Sequence, residues 1–143
     1  MKAQTIFDLA MDLMDEKKDL ATINATPESD YASTKDYQAR TPGILTILQS
    51  EVVMELKKRG IDVDSLDEIK TLEDECDLDD MICSGILPYG LAARLLGQED
   101  ANLSNYFNSL YMGKLSDAYK ISDDKIKAVQ EKREDVYDSL LRW

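Results

Sequence analysis

Residues 86–107 read ILPYGLAARLLGQEDANLSNYF. The apolar residues recur at the spacing of one helical face. Yet Pro88 stands inside the pattern, and Gly90 follows two residues later. A proline in a helix interior removes one backbone hydrogen bond, and its ring clashes with the carbonyl four residues back, here that of Ser84. Gly85 and Gly90 lower helix propensity on either side. A free-standing helix tolerates this poorly, so packing must hold it. The spacing therefore predicts one helix over 79–97, buried at the centre of the domain and bent near residue 85. Asp79 or Asp80 caps its start, where an acid also suits the positive end of the helix dipole. Gly97 marks its stop. Ser84, Gly85, Gly90, Ala92 and Ala93 are small enough to let neighbouring elements come close.

Outward from this centre, the chain reads as helices joined by two long connections. Ile6, Leu9, Ala10, Leu13 and Met14 follow the spacing of one buried stripe over 3–17, widened by Phe7 and Met11. Residues 18–39 are polar and rich in Ser, Thr and Asp, and read as a long loop pinned by Tyr31 and Tyr37. Thr41-Pro42 then gives an N-cap and a first helical residue. Leu45, Leu48, Val52 and Leu56 supply that helix's stripe, and Gly60 closes it behind Lys57, Lys58 and Arg59. A fourth helix runs from Ala101 to about residue 119, with Leu103, Phe107, Leu110 and Tyr111 on one face. Ser122 caps a charged fifth helix, in which Ile126, Val129, Val136, Leu140 and Leu141 recur at helical spacing. The expectation is a single all-α domain of about five helices. Residues 1–120 form the bundle core, and 121–143 form a charged C-terminal helix that packs on it or projects.

Composition narrows the function. The 143 residues hold 17 Lys and Arg, 29 Asp and Glu and no His, a net charge of −12. That balance argues against a nucleic-acid-binding face and against an anionic membrane surface. Without His the chain lacks the commonest general base and zinc ligand. Cys76 and Cys83 form no CxxC pair, and with no secretory signal in MKAQTIFDLAMDLMDE they suit a reducing compartment. Cys83 falls in an apolar stripe and reads as a small buried hydrophobe. No apolar run approaches the ~20 residues that span a bilayer.

The charge is uneven. Residues 61–80 carry ten acids against Lys70 alone, so this connection holds −9 of the −12. Asp62 and Asp64 begin a calcium-loop pattern that Leu66 breaks, and Asp77 and Asp79 begin one that Met81 breaks. A solvated acidic loop is the better reading, with no metal and no cofactor. No GxSxG, GxxxxGK[ST] or GxGxxG is present, so nothing supports catalytic residues and the chain is read as a non-enzyme. Tyr89, Tyr106, Phe107 and Tyr111 flank Gly97. Core packing is the first reading for them, and an interface, where Tyr is enriched, the second.

The stretch from Leu78 to Leu115 resembles small α-helical structural proteins of bacteriophages and prophages, those of the head–tail connector or neck. The residues that carry the likeness are Leu78–Asp80, Leu87–Ala93, Leu95-Leu96, Glu99-Asp100, Tyr106-Phe107 and Tyr111. IFDLAMDLMDE and YQARTPGILTILQSEV are similar to the same proteins' first two helices, so the likeness covers most of 4–115 and leaves out the C-terminal helix. It implies a virion structural protein that assembles by protein–protein contacts as a homo-oligomer or ring with portal and tail proteins. It would be present in the virion and, during assembly, in the host cytoplasm. A negative ring lining would let DNA slide without sticking. The residues assigned to such contacts are Tyr31, Tyr37, Glu73, Asp74, Glu75, Asp77, Tyr106 and Tyr111. The competing expectation is an acidic inhibitor or DNA mimic that occupies a basic site on another protein.

Overall fold

The first helix begins on backbone carbonyls borrowed from a distant part of the chain. In the computed structural model, α1 (Ala3–Ala21) has Ala3 N–H donating to the Asp74 carbonyl at 2.9 Å and Gln4 N–H to that of Leu72 at 2.8 Å. The Cys76 N–H answers by donating to the Met1 carbonyl at 2.8 Å, and an isolated antiparallel bridge pairs Lys2 with Glu75. A helix N-terminus leaves its first four N–H groups without intrahelical partners. Here the acidic connection satisfies two of them.

The structure describes residues 1–21 and 28–118, with side chains placed for 1–15 and 34–118. The expected C-terminal helix over 121–143 and the Tyr31 side chain lie outside the described residues. Four further helices follow: α2 (Glu28–Lys58), α3 (Asp80–Gly85), α4 (Leu87–Leu95) and α5 over 101–118. No strand forms among the described residues, and the fold is all-α.

α2 overturns one expectation. The loop expected over 18–39 is largely helical, because α1 continues to Ala21 and α2 already runs from Glu28. Pro42 therefore lies inside α2, and Thr41 is no N-cap. Its buried hydroxyl donates instead to the Tyr37 carbonyl one turn back, at 2.6 Å. The burial pattern explains the longer helix. Tyr37, Thr41, Leu45, Leu48 and Val52 are all buried at i, i+3 or i+4 steps, so the core-facing stripe starts a turn before the proline. At its other end α2 closes as expected. Gly60 takes φ +78°, its N–H donates to the Lys57 carbonyl at 3.1 Å, and Ile61 N–H reaches Leu56 at 3.0 Å. That pairing is the double bond of a Schellman C-cap, which needs glycine's freedom.

The helix expected as one rod over 79–97 is two. Asp79 accepts a hydrogen bond from Met81 N–H at 3.3 Å and starts α3, as the cap reading required. Ile86 then leaves helical geometry at φ −123°, ψ −53°, and α4 restarts at Leu87 with Pro88 in its first turn. There the missing proline N–H costs nothing, because first-turn N–H groups have no intrahelical acceptor. The break falls one residue past the expected bend. α4 is the buried centre, with Leu87, Leu91 and Leu95 fully enclosed. Burying each contributes about 1.5–3 kcal/mol, which exceeds the ~1 kcal/mol that Gly90 costs inside a helix.

α4 packs against both α1 and α2. Asp100 then caps α5 through Leu103 N–H at 3.1 Å, and Phe107, Tyr111 and Leu115 turn one stripe of α5 inward. Between α2 and α3, the connection over 61–79 lies along the bundle without regular structure. Thr46 of α2 anchors it: its hydroxyl accepts from Ile69 N–H at 3.0 Å and shares its one proton between the Ile69 carbonyl at 3.2 Å and the Pro42 carbonyl at 3.0 Å. Gln49 adds a bond to the Asp67 carbonyl at 3.2 Å.

Candidate functional site

Three helices meet around one carboxylate. Glu51 of α2 is half-buried and splits its two oxygens between partners. Arg94 of α4 pairs with Oε1, and the Tyr111 hydroxyl of α5 donates to Oε2 at 3.0 Å. The Arg94 carbonyl accepts in turn from Arg40 at 3.2 Å. This arrangement needs Gly90, because the Tyr111 ring packs against it where any side chain would stand.

Beside this hub an open groove of ≈ 220 Å³ runs between α2 and α5. Tyr111 and Leu115 are its buried floor, and Met54 and Met112 stand on its sides, 61% and 55% exposed. Its charged members are already paired, Glu51 with Arg94 and Lys58 with Glu55 at 3.2 Å. Small-molecule sites start near 300 Å³ and are more enclosed. A groove this shallow, with flexible thioethers on its sides, suits protruding side chains of another protein. Met54 also lines a second cleft of ≈ 260 Å³ between α2 and the connection, with Thr46, Gln49 and Leu66. Ile47, seven residues earlier on α2, is 51% exposed. Met54 and Met112 are therefore exposed apolar side chains on one groove, and Met54 also borders the second cleft. Surfaces of this type mark interaction sites when the residues are contiguous.

The contact residues expected from sequence are dispersed. Tyr37 is 1% exposed, and its hydroxyl bonds to the Glu99 carboxylate. Burial, then the bond to Glu99, pushes its phenol well above the ordinary tyrosine value. Tyr111 is 2% exposed and belongs to the Glu51 hub. Both are core residues whose hydroxyls are satisfied internally, which corrects their assignment to a surface interface. Tyr106 does lie at the surface, 43% exposed, its ring edge-on to Phe107 at 5.5 Å.

The acids of the connection serve the chain's own folding in large part. Glu73 pairs with Lys2 at 3.3 Å, and Glu75 with the Met1 ammonium at 3.1 Å. Asp74 accepts from the N–H groups of Lys70 and Thr71 at 2.8 and 2.9 Å, which hold its carboxyl below the usual range. Asp77 is exposed. Among the described residues no three acid or thiol side chains converge as a metal would require, and no helix is long and apolar enough to cross a membrane.

Sequence reasoning missed the groove. Glu51 and Arg94 look like ordinary surface charges, and only Met54 and Met112, placed off their helices' buried stripes, hinted at it.

Comparison with family models, with curated proteins and with solved structures finds no match to this chain.

Proposed function

We propose that the protein is a structural assembly subunit of a phage or prophage virion, a head–tail connector component that acts through protein–protein contacts and not through catalysis. The observation that carries this reading is the groove with exposed Met54 and Met112 beside the Glu51–Arg94–Tyr111 hub. A second copy of the chain is its occupant, as the ring assembly implied by the likeness over 4–115 requires. A groove on one face that meets a different face of the next copy generates a ring when the rotation closes. The virion is then its final location, with the host cytoplasm as the place of assembly.

Sedimentation over a range of concentrations tests this. The expected result is a closed oligomer of defined mass, reduced to monomer by Met54→Asp combined with Met112→Asp while helical circular dichroism is unchanged. A wild-type protein that stays monomeric at high concentration, both alone and mixed with portal and tail proteins, overturns it.

The reading of an acidic inhibitor or DNA mimic keeps one supporting feature, the exposed Asp62, Asp64, Asp67 and Glu68 of the connection. Capture of a basic partner that fades steeply with added salt, and that survives the Met54 and Met112 changes, favours it over assembly.

A further inference from the structure

Cys76 and Cys83 take no part in the groove. Both are free thiols buried in the core, 1% and 0% exposed. They belong to different parts of the fold. Cys76 ends the segment that caps α1, and Cys83 lies within α3. The Cys83 Sγ folds back over that segment, donating to the Leu78 carbonyl at 3.4 Å and lying 3.9 Å from the Cys76 carbonyl. With the Cys83 sulfur against the Cys76 backbone, the two thiols influence each other and their acidities are driven apart. The interaction with Cys83 holds Cys76 below the ordinary thiol value, while Cys83 is pushed up by the same interaction and by burial. Burial of small apolar residues accounts for either cysteine alone. It does not account for two of them brought together, the Cys83 sulfur on the Cys76 carbonyl, at the joint between the connection and α3.

We propose that Cys76 and Cys83 are a reversible dithiol–disulfide pair that, once oxidised, locks the capping segment onto α3. The oxidant is a small soluble disulfide such as oxidised glutathione. The Cys76 thiolate attacks one sulfur of that disulfide, forms a mixed disulfide and releases one small thiolate. Cys83 then loses its proton to water. Its sulfur attacks Cys76, displaces the second small thiolate and leaves a Cys76–Cys83 bond. Two protein thiols are oxidised and one external disulfide is reduced to two thiols. Because both sulfurs are enclosed, the exchange passes through local opening of the connection, and the finished bond is shielded. A reducing cytosol keeps the pair open, and an oxidising exterior closes it. The chemistry does not rest on the assembly reading.

The test exposes the full chain to oxidised glutathione near neutral pH, quenches with acid, and measures intact mass, thiol content after denaturation and non-reduced peptides. The expected outcome is loss of both thiols, a mass lower by two hydrogen atoms and a 76–83 link within one chain, reversed by dithiothreitol. Amide exchange at Ala3 and Gln4 slows in the oxidised form. Cys83→Ala stops at a stable glutathione adduct on Cys76, and Cys76→Ala leaves Cys83 unmodified. Two thiols that still titrate, adducts on the wild type that never resolve, or links only between chains overturn the proposal. The wild-type mass measurement decides it even if either variant fails to fold.

Discussion

The Tyr111 ring occupies the space where a Cβ on Gly90 would stand: that atom would lie 2.9 Å from Tyr111 Cδ2 and 3.0 Å from Leu48 Cδ2. Both neighbours are buried, and the tyrosine is tied to Glu51 through its hydroxyl, so neither yields easily. Gly90→Ala brings up to ~1 kcal/mol of helix propensity but forces an overpacked contact that costs ~1–3 kcal/mol. The expected outcome is a less stable protein, read as a lower urea midpoint. A midpoint that stays put or rises would show that α5 does not sit this close to α4.

The same tyrosine links α5 to α2, so its hydroxyl has a separable worth. Tyr111→Phe keeps the ring on Gly90 and removes the 3.0 Å bond to Glu51. A hydrogen bond to a charged acceptor contributes ~1.5–3 kcal/mol when buried, and less where solvent screens it. Glu51 is 37% exposed, so about 1 kcal/mol is expected. Glu51→Ala costs more, because it also strips Arg94 of its partner. A double-mutant cycle for the two changes should show coupling of at least ~0.5 kcal/mol, and strict additivity would refute the contact.

Tyr37 sets an alkaline limit. Burial and the Glu99 carboxylate raise its phenol above the 10.0 it holds in an unfolded chain. Above that pH the unfolded state sheds the proton while the native state keeps it, so the unfolded state binds fewer protons and stability falls as pH rises. The contribution is intact below 10.0 and is lost progressively toward the raised native value. Within that window the loss approaches ~1.4 kcal/mol per pH unit. Tyr37→Phe should flatten this fall, measured as denaturation midpoints at about pH 9 and about pH 11. Identical slopes for both proteins would place Tyr37 in water.

What the sequence conveyed were features whose causes are local. Asp79 caps the helix it precedes, Gly60 takes the left-handed turn after three basic residues, and the helix carrying Pro88 breaks within one residue of the expected bend. Non-local causes stayed hidden. The caps of α1 are carbonyls of Leu72 and Asp74, and a carbonyl carries no residue-type signature. Glu51, Arg94 and Tyr111 meet only because α2, α4 and α5 converge. Tyr37 is the instructive case. Its spacing to Thr41 and Leu45 continues the stripe of α2 upstream, but the Thr-Pro step drew the helix boundary after it. A boundary placed by periodicity and not by the proline would have put Tyr37 in the core.

That step makes Pro42 a test of the fold itself. Inside α2 it has no N–H for the Gln38 carbonyl, and the hydroxyls of Thr41 and Thr46 bond to the carbonyls of Tyr37 and Pro42 at 2.6 and 3.0 Å. Neither bond supplies the donor that the proline denies to the Gln38 carbonyl. In a helix interior proline is ~3 kcal/mol worse than alanine, while alanine restores freedom to the unfolded chain worth ~0.4–1 kcal/mol. Pro42→Ala should therefore stabilise the protein by about 2–2.6 kcal/mol and slow amide exchange over residues 38–42. Were Pro42 the first residue of the helix, its ring would suit that position and the substitution would be neutral or harmful. A stability that does not rise would thus cut α2 at the proline and return Tyr37, with its alkaline signature, to a loop.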